Sequence, residues 1–292
     1  MLGNILRTLA FSAFVRHETN NVLADNIITS DEAFFGLSPP IYPASVEPGS
    51  SGWEDAFSKA RALVGQMTLD EKVVSSVLKR CGTNSLTRFG QVNITGGISM
   101  SNLCSGHIPQ IPRLNFSDLC LNDRPSGLRS TNILSSWSTA ISVGATAYKQ
   151  LDSQCSLGMA SEFKTKGVNV ALGKVIGPLG RIASWGGGFS NDPYLAGVLV
   201  NENVNGMQSA AAITSTKVSD GRSEYSATAV SSNVDDNMMH ELYLWPFQDA
   251  VRAGTGSIMC SYQRINNSYG RANSKNPNGL LKTELGFQVH NP

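Results

Sequence analysis

Apolar positions fall at helix spacing from Trp53 onward, with Ala56, Phe57, Ala60, Leu63 and Val64 continuing the stripe. Thr68-Leu69-Asp70-Glu71 then reads as a capping box ahead of the apolar positions Val73, Val74 and Val77. Thr68 is placed to accept from the Glu71 amide while Glu71 reaches back. The stretch 81–135 carries no such period. Pro and Gly break "GHIPQIPRLNF" and "CLNDRPSGLR" too often for long elements, so it is read as loop-rich. The spacing next predicts a helix over 147–166 that stops at Gly167, followed by the β-branched run "VNVALG" as a strand. Asn191-Asp192-Pro193 is a helix start, with Asp192 as cap and Pro193 in the first helical position, and this helix runs to about Gln208. "VDDNMMHELYLWPFQDAVRAG" predicts another helix, ending at Gly254 and kinked or broken by Pro246. "SIMCSY" is predicted as a strand, "NNSYG" as a turn, 277–285 as a further helix and "GFQV" as the strand after it.

The C-terminal half thus alternates strand and helix, the pattern of a parallel α/β fold, either an open sheet or a (β/α) barrel. Residues 1–52 are irregular, with "SPPIYPASVEPGSSG" as a Pro/Ser/Gly lead-in. The start "MLGNILRTLAFSAFV" has one Arg and a short apolar stretch from Leu9 to Val15, which fits a remnant signal region and equally a plain N-terminal tail.

Composition narrows the partners. Lys and Arg number 23 against 22 acidic residues, so no charge excess asks for nucleic acid or an anionic membrane. No apolar run reaches the roughly 18 residues of a membrane span. Charged residues make up 15%, below the roughly 25% of an average soluble chain, and Gly, Asn and Ser are abundant. That is a polar surface built from uncharged groups, as suits a secreted protein. The sequons at Asn93, Asn115 and Asn266 point the same way as candidate glycosylation sites. Five cysteines, Cys81, Cys104, Cys120, Cys155 and Cys260, include no C-x-x-C pair, so no metal site is expected. No cofactor is expected either. "SWGGGFS" lacks both the strand–GxGxxG–helix context and a phosphate-binding Lys.

Taken singly, the polar residues say little. Asp123, among turn residues, reads as a turn former or surface cap. Lys217 ends the strand-like run "AAAITSTK" and reads as solvated. Met259 and Tyr262 fall at the end of "SIMCSY", where a parallel barrel would put its site wall, but a core role for Met259 and a loop-anchor role for Tyr262 are the favoured readings. His107 and His240 stand apart from other ligand-type residues and are assigned structural or solvent roles.

Several stretches together are more specific. "WEDAFSKARALVGQMTLDEKV", "IPRLNFSDLCLNDRPSGLR", "GVNVALGKVIGPLGR", "GFSNDPYLAGV", "SSNVDDNMMHELYLWPFQDAVRAGTGSIMCSYQRINNSYG" and "NGLLKTELGFQ" resemble, in order and rough spacing, the N-terminal catalytic domain of fungal β-glucosidases of glycoside hydrolase family 3. The resemblance covers about Trp53 to Gln288. It implies a (β/α)8 TIM-barrel-type domain, incomplete here because the last strands and the second domain are absent. The domain reading becomes an irregular segment over 1–52 and a partial barrel over 53–292.

The activity implied is retaining hydrolysis of terminal β-linked glucose, with a β-glucoside or glucose as the partner and a secreted location. Such chemistry needs two carboxyl groups about 5 Å apart. The family's "LQDGPLGIR"-type loop is similar to "LNDRPSGLR", which keeps its sugar-gripping Asp as Asp123 but puts Arg124 beside it. The family's Lys-His pair is kept only as Lys217, with Val218 in place of His. The Arg of "GGRNWEGFSPDP" has no counterpart in "RIASWGGGFSNDP", since Arg181 belongs to the preceding "GPLGR". Met259 and Tyr262 match residues lining the glucose subsite, and Gln263 replaces the usual Asn. Cys104 and Cys120 match a disulfide pair of the family, and Arg271 stands where a partner for Cys260 is expected.

No catalytic residue is assigned. The family nucleophile lies just beyond "ELGFQ", no Asp or Glu follows Phe287 here, and the acid/base Glu belongs to the second domain. The expectation is therefore a β-glucosidase by lineage whose 292 residues are inactive alone. A non-catalytic sugar-binding remnant and a truncated gene product without independent function are the alternatives.

Overall fold

The computed structural model describes residue 49 and residues 52–69, 71–72, 104–108, 110–123, 126–129, 131–176, 188–218, 231–260, 264–270 and 272–288; for 107, 174, 175, 217 and 218 it describes the backbone alone. Cys81, Asn93, Tyr262, the 1–48 lead-in and residues 177–187 lie outside the described residues.

The central element is a five-stranded sheet in the order β1-β2-β3-β4-β6. Its strands are β1 (Gly106–Ile108), β2 (Leu119–Asp123), β3 (Val170–Ile176), β4 (Ile213–Val218) and β6 (Ser257–Met259). β1 is antiparallel to β2, and the other four run parallel. Between parallel strands the chain crosses over through α1 (Lys149–Thr165), α2 (Pro193–Ser209) and α3 (Trp245–Arg252), so each new strand docks beside the last. Among the described residues the sheet is open, with β1 and β6 at its edges. No helix there is long and apolar enough to cross a membrane.

Local signals account for the crossovers. The Asp192 side chain accepts from the amides of Tyr194 and Leu195, and Pro193 opens α2. Gly167, at φ +81°, takes the left-handed turn after α1. The Thr68 amide donates to Glu71 Oε2 at 2.8 Å, and the Glu71 amide donates back to Thr68 Oγ1 at 3.2 Å, completing the capping box.

Two apolar clusters lie under these helices. Met159, Phe163, Ala171 and Met207 join Cys104 and Cys120 in one, while Leu199, Val200, Phe247, Ile258 and Phe287 anchor the other. Between β4 and β6 the interior is polar but satisfied. The Thr255 hydroxyl lies 3.1 Å from those of Thr214 and Thr216, and the Gln208 side chain accepts from the Gly256 amide. That network explains how the strand buries the polar run Thr214-Ser215-Thr216.

Several elements differ from the sequence reading, and the break expected at Pro246 falls ahead of that residue. Leu119–Asp123, read as loop, is a strand; Gly127, at φ +118°, lies beyond its end and is not a break within it. The segment from 234 is not one helix. A short turn at Asp236–Met238, capped by Asp235, widens into i→i+5 turns over Met239–Leu244 before α3 begins. Pro246 supplies the reason, since it has no amide to donate and its ring opposes the Leu242 carbonyl. The last helix, Lys275–Glu284, is wide throughout, with Gly279 donating to Ser274 O and Leu285 to Leu280 O. No strand forms over Gly286–Gln288. "NNSYG" is a hairpin turn as expected: Asn266 (φ +47°) and Asn267 (φ +64°) join β7 (Arg264–Ile265) to β8 (Ser268–Tyr269). β7 also pairs with β5 (Ser231–Ser232) in a separate small sheet.

His240 ties the wide turns to the last helix. Its Nδ1 faces Asp236 O at 2.7 Å and its Nε2 faces Glu284 Oε1 at 3.0 Å, while Lys275 reaches Asp236 at 2.9 Å. Both ring nitrogens face acceptors, so only the imidazolium can donate to both. The Asp236 carbonyl, then Glu284, raise the pKa of His240 above its usual 6.5.

Two predictions follow from this packing. Beside the register shift between Leu172 and Val175, a Cβ on Gly173 would overlap the Ser215 carbonyl oxygen. Gly173→Ala should cost about 1–3 kcal/mol in denaturant unfolding, and an unchanged midpoint would contradict the close approach. A raised folded pKa stabilises fully below 6.5, and that contribution fades as pH rises through the folded value. The Tm gap between wild type and His240→Gln should therefore be largest near pH 6 and shrink towards pH 8.5; a gap that widens with pH would contradict the contact.

Candidate functional site

The sheet register assembles the site. Asp123 is the last residue of β2 and pairs with Leu172, which pairs with Ser215, which pairs with Ser257. Two residues further along, Lys217 pairs with Met259. Side chains alternate along a strand, and laterally paired residues share a face. Positions 123, 217 and 259 therefore share one face of the sheet and lie at its C-terminal rim. The opposite face carries Asn122, Ala171, Thr214, Thr216 and Ile258, all buried on the helix side.

The rim is held firmly at Asp123. Buried Asn122 accepts through Oδ1 from the Ser105 hydroxyl at 2.8 Å and from the Asp123 amide at 2.7 Å. Two strand positions before Asn122, Cys120 is disulfide-bonded to Cys104, and its amide donates to Asn169 Oδ1 at 2.8 Å. Closing this short loop constrains the unfolded chain by about 3 kcal/mol on the chain-entropy model.

Asp123 is half-exposed, and Arg129 Nη1 lies 3.4 Å from its Oδ2. The sequence reading missed Arg129, although "DRPSGLR" carries both charges within one turn. A carboxylate offers acceptors only, which suits donation from hydroxyl groups. Asp123 is the one carboxylate at these four strand ends. Met259 is half-buried and also borders an apolar cavity of about 130 Å³ walled by Phe247, Ile258, Leu280 and Leu281.

The remaining sequence candidates are scattered. Asn115 is exposed in a tight turn at φ +52°. The Asn266 side chain is committed to Val234, donating to its carbonyl at 3.0 Å and accepting from its amide at 2.8 Å. Among the described residues no three His, Cys, Asp or Glu side chains converge as a metal site would require.

Against known proteins, residues 119–289 match the glycosyl hydrolase family 3 N-terminal domain. A probable β-glucosidase M of Aspergillus fumigatus is 50% identical over 282 residues, covering 91% of this chain and 34% of that protein. The chain thus spans about a third of the length of the curated relatives it matches. In solved structures, the Chaetomium thermophilum β-glucosidase superposes with a TM-score of 0.72 at 38% identity, over 87% of this chain and 30% of that one. A family 3 β-glucosidase from Neurospora crassa gives the same TM-score at 36% identity, again over 87% and 30% of the two chains. With more than half of its length matched, from the Asp123 strand to the end of the last helix, the chain belongs to glycosyl hydrolase family 3.

Proposed function

We propose that these 292 residues contribute part of the glucose-binding wall of a retaining β-glucosidase, built on a (β/α)8-type barrel domain over 53–292 that follows an irregular 1–52 segment. The reading rests on one observation: register brings positions 123, 217 and 259 to one rim and one face of the parallel sheet. In parallel barrels that rim is where active sites form. Asp123 would accept from sugar hydroxyls, Lys217 would donate to them, and Met259 with Tyr262 would bound the ring.

Retaining hydrolysis needs a nucleophile and an acid/base about 5 Å apart. Among the described residues Asp123 is the one carboxylate at these strand ends and is paired to a guanidinium, which supports a binding role. Neither catalytic carboxylate is assigned among the described residues. These 292 residues, taken alone, then hold a sugar without hydrolysing it. The Cys104–Cys120 disulfide favours a secreted protein. Among the sequons, exposed Asn115 is the best placed for a glycan, because the Asn266 amide is engaged with Val234.

The test is a pair of proteins assayed on 4-nitrophenyl β-glucoside: the 292-residue chain alone, and the same residues continued by the remaining two thirds of the Aspergillus fumigatus relative. The first should match a heat-killed control, and the second should release nitrophenol. In the second, Asp123→Ala should lower kcat/KM about ten- to hundredfold, because a hydrogen bond to a charged group contributes about 1.5–3 kcal/mol. Hydrolysis by the 292 residues alone, or an Asp123→Ala chimera of full activity, would contradict the assignment.

A further inference from the structure

A second cleft, of about 370 Å³, opens between α2 and α3 on the outer side of the helical layer. The α2 residues Leu199, Val200 and Val204 face the core, while Tyr194 and Glu202 of the same helix line this cleft. We propose that it is a non-catalytic binding site for one pyranose ring of a neutral saccharide.

Three features carry the assignment. The first is aromatic. Tyr194 and Trp245 border the cleft with 63% and 42% of their surface exposed. Rings with an apolar face and a polar edge suit a ligand that is itself apolar on its C–H face and polar at its rim. The second is charge. Glu202 and Asp249 are balanced by Lys149 and Arg252, so the cleft has no net sign with which to concentrate a phosphate, a nucleic acid or a cation. A neutral polyol is the class that remains. The third is an under-used acceptor. The Asp249 carboxylate packs over Gly197, where any Cβ would collide with Oδ2, and Arg252 is 3.8 Å away, too far for a good hydrogen bond. Burial, opposed by Arg252, raises the pKa of this carboxyl group. A sugar hydroxyl would supply the donor that it lacks at hydrogen-bond distance.

The wall is set in advance. Asn201 Nδ2 donates to the Asp249 carbonyl at 3.3 Å, and its Oδ1 accepts from Asn205 at 2.9 Å, so this amide holds α2 against α3 and leaves Gln248 to meet the ligand. A volume of this size lies within the range of roughly 300–1,000 Å³ usual for small-molecule pockets. The choice of β-linked glucose as the probe rests on the β-glucosidase reading; the chemistry of the cleft requires only a neutral saccharide.

The test is indole ¹H–¹⁵N NMR of the full chain titrated with cellobiose and laminaribiose, with the Trp245 signal assigned by its loss in Trp245→Phe. The expected result is a saturable shift of that signal. Tyr194→Ala should weaken binding about two- to tenfold, the range for a ring contact of about 0.5–1.5 kcal/mol, Asp249→Asn should also weaken it, and Asp123→Ala should leave it unchanged. No saturable shift with either sugar overturns the proposal, as does a shift that Tyr194→Ala and Asp249→Asn leave untouched, or one that Asp123→Ala abolishes. A persistent shift alongside a failed hydrolysis assay removes the β-glucosidase reading and leaves the cleft standing. Hydrolysis without a shift does the reverse.

Discussion

Lateral register across β2, β3, β4 and β6 is the constraint on which the rest depends. A one-residue slip in any of these strands would turn its rim residue from the open face to the helix face. Several interactions prevent that slip. Thr255 bridges Thr214 and Thr216, and Gly173 lets β3 approach the Ser215 carbonyl where the ladder shifts between Leu172 and Val175. At β2, the Cys104–Cys120 disulfide and the two donors on Asn122 Oδ1 fix the strand along its own axis. The apolar clusters under the helices then reward one face only.

Given that register, the division of labour in the site follows from chemistry. Holding a sugar takes donors and acceptors aimed at its hydroxyls, and strand ends on a rigid sheet are suited to supply them. Bond cleavage needs two carboxylates at controlled separation, and among the described residues these four strand ends carry one, matched with Arg129. The chain covers about a third of its curated relatives, which leaves ample sequence in those proteins for the other groups. The outer cleft is a different kind of surface. Its helices are fixed by their buried faces, so the outward residues are free to present exposed rings and uncommitted polar groups.

Local chemistry was the part most legible in the sequence. The Asp192-Pro193 start, the Gly167 stop, the Thr68–Glu71 box and the Asn266-Asn267 turn each depend on a few neighbouring residues. Leu119–Asp123 was missed because its parallel partner lies some fifty residues away and its flanks are rich in Pro and Gly. The wide turns over Met239–Leu244 and Lys275–Glu284 were missed because their apolar spacing differs little from that of an α-helix. At the site, no local pattern separates Asp123 from a turn former or Lys217 from a solvated lysine. Family resemblance singled them out, and only the pairing of strands distant in sequence brings their positions together. Arg129 escaped notice because its meaning depends on where the loop after β2 folds back.

The central claim is that positions 123 and 217 serve one ligand at one rim. The most direct measurement is a crystal structure of the full-length protein soaked in glucose. The account predicts a sugar with hydroxyls within hydrogen-bond distance of both the Asp123 carboxylate and the Lys217 ammonium, beside Met259. A rim left empty while glucose is bound elsewhere on the barrel, or a sugar reaching only one of the two, would contradict it.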